Sequence, residues 1–261
     1  MSTPNIVFAG DRDIAVAVLD FLIEDNANIK ALLLPNEKIA SHADTLRDRC
    51  EFLEENRVLR GETFREEKGR QILRNIDPDY IIAVHFSYIV PSEILEIPAH
   101  GVVNLHPAYL PYNRGWHTPS WAIWDQTPYG ATLHFMEEDV DAGDIINRRE
   151  VEIRPEDTAD SLYRRVKTVE YELFQDTWPE LAAFEYETVP QPEDQVTAHK
   201  RDDLEAIRKI HLNEKVTVET LLRKLRALTT NRIDEAAYFV ENGNRYRVQV
   251  NVVPEQVSPD E

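Results

Sequence analysis

Asn104-Leu105-His106-Pro107 sets an amide and an imidazole two residues apart, at the end of the apolar run Gly101-Val102-Val103. On a strand, alternate residues share a face, so this spacing points both side chains the same way. A carboxylate, Asp141, follows 35 residues after His106, in the acidic turn Glu138-Asp139-Val140-Asp141-Ala142-Gly143. The amide can donate to an oxyanion as it develops. The imidazole can take the proton leaving an attacking nitrogen, and the carboxylate can orient that imidazole and favour its charged form. Acyl transfer to an amine requires this set. An isolated Asn-x-His triplet carries little information; the surroundings of this one carry more. Pro107 to Gly115 is a stiff, proline-bounded loop, an aromatic-rich stretch runs from Trp116 to Trp124, and Ala131 to Met136 reads as a strand leading into the turn of Asp141.

The elements around these residues alternate. Asn5 to Gly10 is a short apolar strand, Ile14 to Glu24 has helical spacing, and Ile29 to Leu34 is a second strand, an opening that implies a parallel sheet. Residues 42–54 and 64–75 read as charged helices with a short strand at Val58-Leu59 between them. Tyr80-Ile81-Ile82-Ala83-Val84 is continuously apolar, as a strand buried on both faces must be. The pattern predicts an α/β fold, a Rossmann-like, doubly wound, mostly parallel sheet with its site at the carboxyl ends of the strands. Leu162, Val166, Val169 and Leu173 mark one face of a long helix from about Asp160 to Ala183. Then composition changes. Residues 1–187 form the catalytic domain in this reading, the Pro-rich 188–196 a linker, and 197–261 a small region with an amphipathic helix (Val218, Leu222, Leu225) and a hairpin turning at Asn242-Gly243. The last residues, Glu255 to Glu261, are expected to fray.

Asn104-Leu105-His106-Pro107, Leu110-Pro111, Arg114-Gly115, Gly130 to His134 and Asp139 to Ile146 together resemble the 10-formyltetrahydrofolate-dependent formyltransferases. The match is dense over residues 79–153 and thinner over 1–78. The resemblance implies that Asn104, His106 and Asp141 are catalytic. It implies 10-formyltetrahydrofolate as cosubstrate, with Phe86, Ser87, Tyr88, Ile89 and Val90 bordering the pteridine and Asp139 and Gly143 in the turn that closes the other side. The loop Tyr109 to Gly115 and the tail around Thr197 to Leu204 are most similar to the nucleotide-sugar branch, which is commonly dimeric. That implies transfer of a formyl group to the exocyclic amine of a nucleotide-linked aminosugar such as dTDP-4-amino-4,6-dideoxyglucose or a 3-amino analogue. Substrate contacts are then expected from Gly10, Arg12, Tyr109, Tyr112, Asn113, Arg114, Trp116, Lys200 and Arg201, with Arg226 a further candidate cation. The alternatives are a formyltransferase acting on methionyl-tRNA or glycinamide ribonucleotide, or a formyltetrahydrofolate hydrolase. Gly10-Asp11-Arg12-Asp13 lacks the further glycines of a phosphate or dinucleotide loop, which weakens the glycinamide ribonucleotide branch and argues against NAD. His134 is expected to support the site or fill core rather than catalyse.

Composition narrows the classes further. Forty-eight acidic residues against 29 Lys and Arg give a net charge of −19, and only eight of those cations are Lys. A field of that sign repels nucleic acid, so no nucleic-acid partner is expected. Proteins of high-salt cytoplasm share this balance, and so do ordinary acidic proteins. No apolar run is long enough for a membrane span, and the start of the chain has no signal-peptide pattern. A single cysteine, Cys50, excludes an internal disulfide and reads as a packing residue. These features imply a cytoplasmic enzyme without a membrane partner. No Cys or His cluster has metal-ligand spacing, so no metal is expected.

Overall fold

The computed structural model describes residues 3–255. The chain opens as β1 (Asn5–Gly10), α1 (Arg12–Glu24) and β2 (Asn28–Leu34), followed by α2 (Ala43–Arg49), β3 (Val58–Arg60), α3 (Glu67–Ile76) and β4 (Tyr80–Val84). Next come α4 (Ser92–Leu95), β5 (Gly101–His106), β6 (Arg114–Gly115), α5 (Thr118–Asp125), β7 (Gly130–Phe135), β8 (Ile145–Glu150) and α6 (Ala159–Ala183). The remainder is β9 (Ala198–His199), α7 (Glu205–Arg208), α8 (Val218–Ala227), β10 (Ala237–Glu241) and β11 (Asn244–Val248).

Seven strands form one sheet in the order β3-β2-β1-β4-β5-β7-β8. The first five are parallel; β7 pairs antiparallel to β5, and β8 antiparallel to β7. The winding reverses between β1 and β4, so the carboxyl ends of these strands border the crevice where such sheets bind ligands. The sheet is the mostly parallel one expected, but β8 was not foreseen: its Asn147-Arg148-Arg149 segment is polar because it is an edge strand.

Two apolar layers cover the sheet. One packs α1 and α6 against Ile6, Phe8, Leu32, Ile82 and Leu105; the other packs α3 and the 86–97 segment against Val7, Ala9, Leu33 and Ile81. Helix α6 starts at a capping box between Thr158 and Ser161, and it buries Leu162, Val166 and Leu173. The helix predicted over 42–54 stops at Arg49. Cys50 is buried there, and burial pushes its thiol up to about 12, as suits a packing residue.

The Pro-rich stretch 188–196 is tied to the seven-stranded sheet. Val189 bridges to Ile145, and Gln191 and Gln195 bond back to the loops of the site. Strand β9 pairs with β6, and Trp121, Leu204, Leu228 and Ala237 share a small core that seats the C-terminal region. The Asn242-Gly243 turn has both residues in the left-handed region, as the two-residue hairpin requires. The stripe predicted on α8 lies outside this core. Leu225 is partly buried, but Val218 is 73% and Leu222 47% exposed.

Candidate active site

Antiparallel pairing of β5 with β7 sets Asn104 opposite His134 and His106 opposite Thr132. Asn104, His106 and His134 are all buried. His134 Nδ1 lies 2.7 Å from the carbonyl oxygen of Phe135. A carbonyl can only accept, so Nδ1 carries the proton and Nε2 is left as an acceptor. Asn104 Nδ2 donates to that Nε2 at 3.1 Å and lies 3.4 Å from Asp141 Oδ1. Burial pulls the His134 imidazole down to about 4, against the raising effect of Asp141, so it stays neutral near pH 7. The histidine thus orients the Asn104 amide with its nitrogen toward the site.

Asp141 takes a left-handed backbone, φ 53°. Its Oδ2 accepts from the Gly115 amide at 2.9 Å and lies 3.5 Å from His106 Nε2, which has no closer polar partner among the described residues. Gly115 has φ 93°, and a Cβ there would run into the His199 carbonyl; only glycine lets this amide reach the carboxylate. Gln191 clamps the same turn. Its amide nitrogen donates to the carbonyls of Asp141 at 2.8 Å and Gly143 at 2.7 Å, while its oxygen accepts from Nε and Nη2 of Arg114. Burial lowers the pKa of the Arg114 guanidinium; Asp141, Asp139 and Glu137 oppose that shift.

The amide, imidazole and carboxylate open onto a cleft of about 1730 Å³, its solvent-filled mouth included. The enclosed part of that space is about 390 Å³, within the roughly 300–1,000 Å³ typical of ligand sites. Phe86, Ser87, Tyr88, Ile89 and Val90 form part of its wall, facing the 136–141 turn. Phe86 and Tyr88 are braced edge-on against Phe64, while Ile89 and Val140 at the lip are 69% and 54% exposed. An apolar slot with an acidic turn beside it suits a flat heteroaromatic ring with a donor edge, as a pteridine has. A second group of lining residues is cationic and aromatic: Arg12, Trp116, Arg201 and Arg232. The Arg201 guanidinium lies 4.9 Å from the Trp116 ring centre.

Other expected contacts stand outside the cleft. Gly10 is packed so tightly that a Cβ would meet Ala15 and Phe8. Tyr109 stacks under Arg148, Tyr112 donates to Gln195, and the buried Asn113 donates to Thr127. Arg114 is spent on Gln191, and Arg226 donates to the carbonyls of Asp157 and Arg154. The backbone amide of Lys200 caps onto Asp203 and its side chain does not line the cleft; nor do Asp139 and Gly143. Gly143 instead sits where a Cβ would collide with the Phe135 carbonyl, a packing role in the turn.

Sequence reasoning missed His85, Tyr163, Asp160 and, from the tail, Thr230, Asn231, Arg232 and Glu235, all of which line the cleft. Backbone strain was a signal only the structure could give. Arg12, His85, His117 and Asp141 are non-glycine residues at positive φ, and all four line this cleft. Such strain persists where the surroundings over-determine it, which is common at ligand sites. Among the described residues no group of three His, Cys, Asp or Glu side chains could hold a metal ion.

Residues 5–177 match the family model described as formyl transferase, and residues 203–254 match one described as an N-formyltransferase dimerization C-terminal domain. The methionyl-tRNA formyltransferase of Bacillus thuringiensis (strain Al Hakam) is 32% identical over 198 residues, 74% of this chain and 63% of that protein. The chain therefore spans less than two thirds of the length of the curated relatives it matches. A 4-N formyltransferase structure from Francisella tularensis superposes with a TM-score of 0.82 at 22% identity, over 97% of this chain and 99% of that one. The formyltransferase PseJ of Anoxybacillus kamchatkensis, solved with UDP-4,6-dideoxy-4-formamido-L-AltNAc and tetrahydrofolate, gives a TM-score of 0.57 at 25% identity, over 85% of this chain and 98% of that one.

Proposed function

The chain belongs to the formyl transferase family, and on that premise we propose that it moves a formyl group from 10-formyltetrahydrofolate to the exocyclic amine of a nucleotide-linked aminosugar. The carrying observation is the Asn104–His106–Asp141 set at the junction of an apolar slot and a cationic, aromatic wall in one cleft. The slot suits the folate ring. Arg12 and Arg201 suit a diphosphate, Arg232 being paired to Asp234 and Glu235, and Trp116 offers a face for stacking. PseJ, which was solved with a UDP-linked formamido sugar and tetrahydrofolate, supports this choice of acceptor. So does charge: tRNA would have to make many phosphate contacts against a −19 field, whereas a diphosphate needs a few Arg side chains. The finer reading is a 4-amino- or 3-amino-deoxysugar, dTDP-4-amino-4,6-dideoxyglucose or its 3-amino analogue.

When bound, 10-formyltetrahydrofolate supplies the activated formyl carbon. Asn104, with its amide nitrogen turned inward by His134, donates to the oxygen on the carbon under attack. His106 takes the proton that the new C–N bond makes acidic and delivers it to the departing nitrogen. Asp141, held by the Gly115 amide and by Gln191, keeps His106 oriented and balances its charge.

We place the enzyme in the cytoplasm as a homodimer. Among the described residues no helix is long and apolar enough to cross a membrane. Val218 and Leu222 on α8, and Val240 and Tyr246 on the hairpin, are exposed apolar side chains that contact with a second copy would cover. In domain terms, residues 1–187 carry the catalysis and 197–261 the subunit contact, with 188–196 between them.

The test is a panel of dTDP-, UDP- and GDP-aminosugars offered with 10-formyltetrahydrofolate, alongside methionyl-tRNA and glycinamide ribonucleotide. Formylation of at least one sugar nucleotide is expected. Formylation of tRNA or glycinamide ribonucleotide alone, or folate hydrolysis without any acceptor, overturns the reading.

A further inference from the structure

Two protons must leave an acceptor amine on its way to a formamide. An amine flanked by electron-withdrawing ring carbons titrates nearer the α-amino value, about 7.7–8.0, than that of lysine, about 10.4. Near neutral pH it is largely ammonium, which has no lone pair and cannot attack. One proton must go before attack and a second after it. His106 accounts for the second, which returns to the leaving nitrogen. The first needs another acceptor.

A second imidazole, His85, lines the same cleft as His106. β4 and β5 are parallel with Val84 opposite Leu105, and His85 follows directly after β4, at the same carboxyl end of the sheet as His106. His85 has φ 50°. Its Nε2 lies 2.8 Å from Oε1 of Glu170, and its Nδ1 lies 3.2 Å from the Tyr163 hydroxyl. An ionised carboxylate only accepts, so Nε2 carries the proton, Nδ1 offers a lone pair, and Tyr163 donates to it. Glu170 is fully buried in the middle of α6, and its Oε2 has no hydrogen-bond partner among the described residues. A charge so placed costs stability that a well-packed apolar side chain would not, and His85 is the group it faces. Tyr163 is half-buried and lines the cleft, so this chain of groups runs from the substrate space to an interior charge.

We propose that Tyr163, His85 and Glu170 form a relay that takes the first proton from the acceptor's ammonium group, an inference that rests on the formyl transfer proposed above. The ammonium gives a proton to Tyr163 Oη as the Tyr163 hydroxyl proton moves to His85 Nδ1. An N–H bond and an O–H bond break, and an O–H bond and an N–H bond form. Tyrosine ends neutral, as it began. The positive charge passes from the sugar nitrogen to His85, where Glu170 balances it, and the amine keeps its lone pair. Tyr163 is the catalytic residue here, while His85 and Glu170 act through it. Burial raises the Tyr163 pKa, which keeps the phenol protonated and fit to pass a proton rather than hold a charge.

Other charges face the relay. Arg12 and Asp13 approach from the start of α1; Asp160 and Lys167 belong to α6; the Tyr129 hydroxyl lies near Glu170; His106 stands on β5. Lys167 Nζ lies 5.3 Å from the Tyr163 ring centre but is paired to Asp13 at 2.6 Å.

The ratio of kcat for the parent and Tyr163→Phe across pH isolates the relay, because the titration of His106 cancels in it. Near pH 6.5 the variant should be slower by about 10- to 100-fold, and near pH 9, where the acceptor is already neutral, within about twofold. His85→Asn, chosen because Asn tolerates positive φ, should show the same convergence. A second readout needs no folate. In ¹⁵N-histidine NMR, adding the aminosugar nucleotide near neutral pH should turn the His85 signal, assigned by its loss in His85→Asn, from neutral imidazole to imidazolium. A hydroxyl analogue of the acceptor should not do this, nor should the aminosugar act so on Tyr163→Phe. An equal rate loss at every pH, full activity of Tyr163→Phe throughout, or a His85 signal indifferent to the amine overturns the relay while leaving formyl transfer intact. A parent protein that formylates no aminosugar overturns both.

Discussion

His134→Gln tests the histidine that orients Asn104, and its effect can be worked from the site. The imidazole has a pKa of about 4 in the folded chain, against an ordinary value of 6.5, because burial penalises its charged form. As pH falls below 6.5 the unfolded chain takes up a proton that the folded chain refuses, so folding weakens. The loss sets in below about pH 6.5 and levels off as pH passes below about 4. From those two values it amounts to about 2 kcal/mol near pH 5 and about 3 kcal/mol near pH 4. Glutamine can offer an oxygen to Asn104 and does not titrate, so this component should vanish in the variant while other groups titrate as before. Urea titrations of parent and variant across this range give two stability curves. The parent should fall away from the variant by those amounts below pH 6.5, whatever the offset between them near pH 7.5. Parallel curves would refute both the neutral histidine and the tautomer that fixes the Asn104 amide.

Gln191→Ala should lower kcat about 10- to 100-fold with a smaller change in KM, since a displacement of about 1 Å in a catalytic group costs on that order; an unchanged kcat would show that the Asp141 turn holds without the clamp. Leu222→Glu should convert a dimer to a folded monomer by light scattering, because Leu222 is already half-exposed in the single chain; a mass unchanged from a dimeric parent would clear α8 of the subunit contact. Raising salt from about 0.05 M to about 1 M shortens the screening length from more than 10 Å to about 3 Å and should raise Tm by relieving the self-repulsion of a −19 chain; a flat or falling Tm would show that its charges are already balanced locally.

Local patterns made much of the sheet readable. The continuously apolar Tyr80 to Val84 had to be buried on both faces, and the period of two placed Asn104 and His106 together. The Asn242-Gly243 hairpin was equally plain, because its turn chemistry is local. β8 was hidden by its polar edge position. His85, Tyr163 and Glu170 could not be found by spacing, since they meet only after α6, some eighty residues downstream of β4, packs across the sheet. Nothing in the sequence around Glu170 says that it is buried. Gln191 was lost in a polar, Pro-rich stretch that looked like a linker because its hydrogen bonds all reach back to distant loops. The 109–114 loop misled in the other direction. Its polar and aromatic side chains suggested substrate contacts, but most are spent on holding the loop itself.

The central claim is that Asn104, His106 and Asp141 move a formyl group onto an amine. Its most direct measurement is single-turnover transfer from formyl-labelled 10-formyltetrahydrofolate to an aminosugar nucleotide, followed by mass spectrometry for the parent, His106→Ala and Asn104→Ala. The parent should yield labelled formamido sugar. His106→Ala should be slower by about 10²–10⁴-fold and Asn104→Ala by about 10²–10³-fold, each with folate affinity and the folded state intact. Near-parental transfer by either variant would contradict the account.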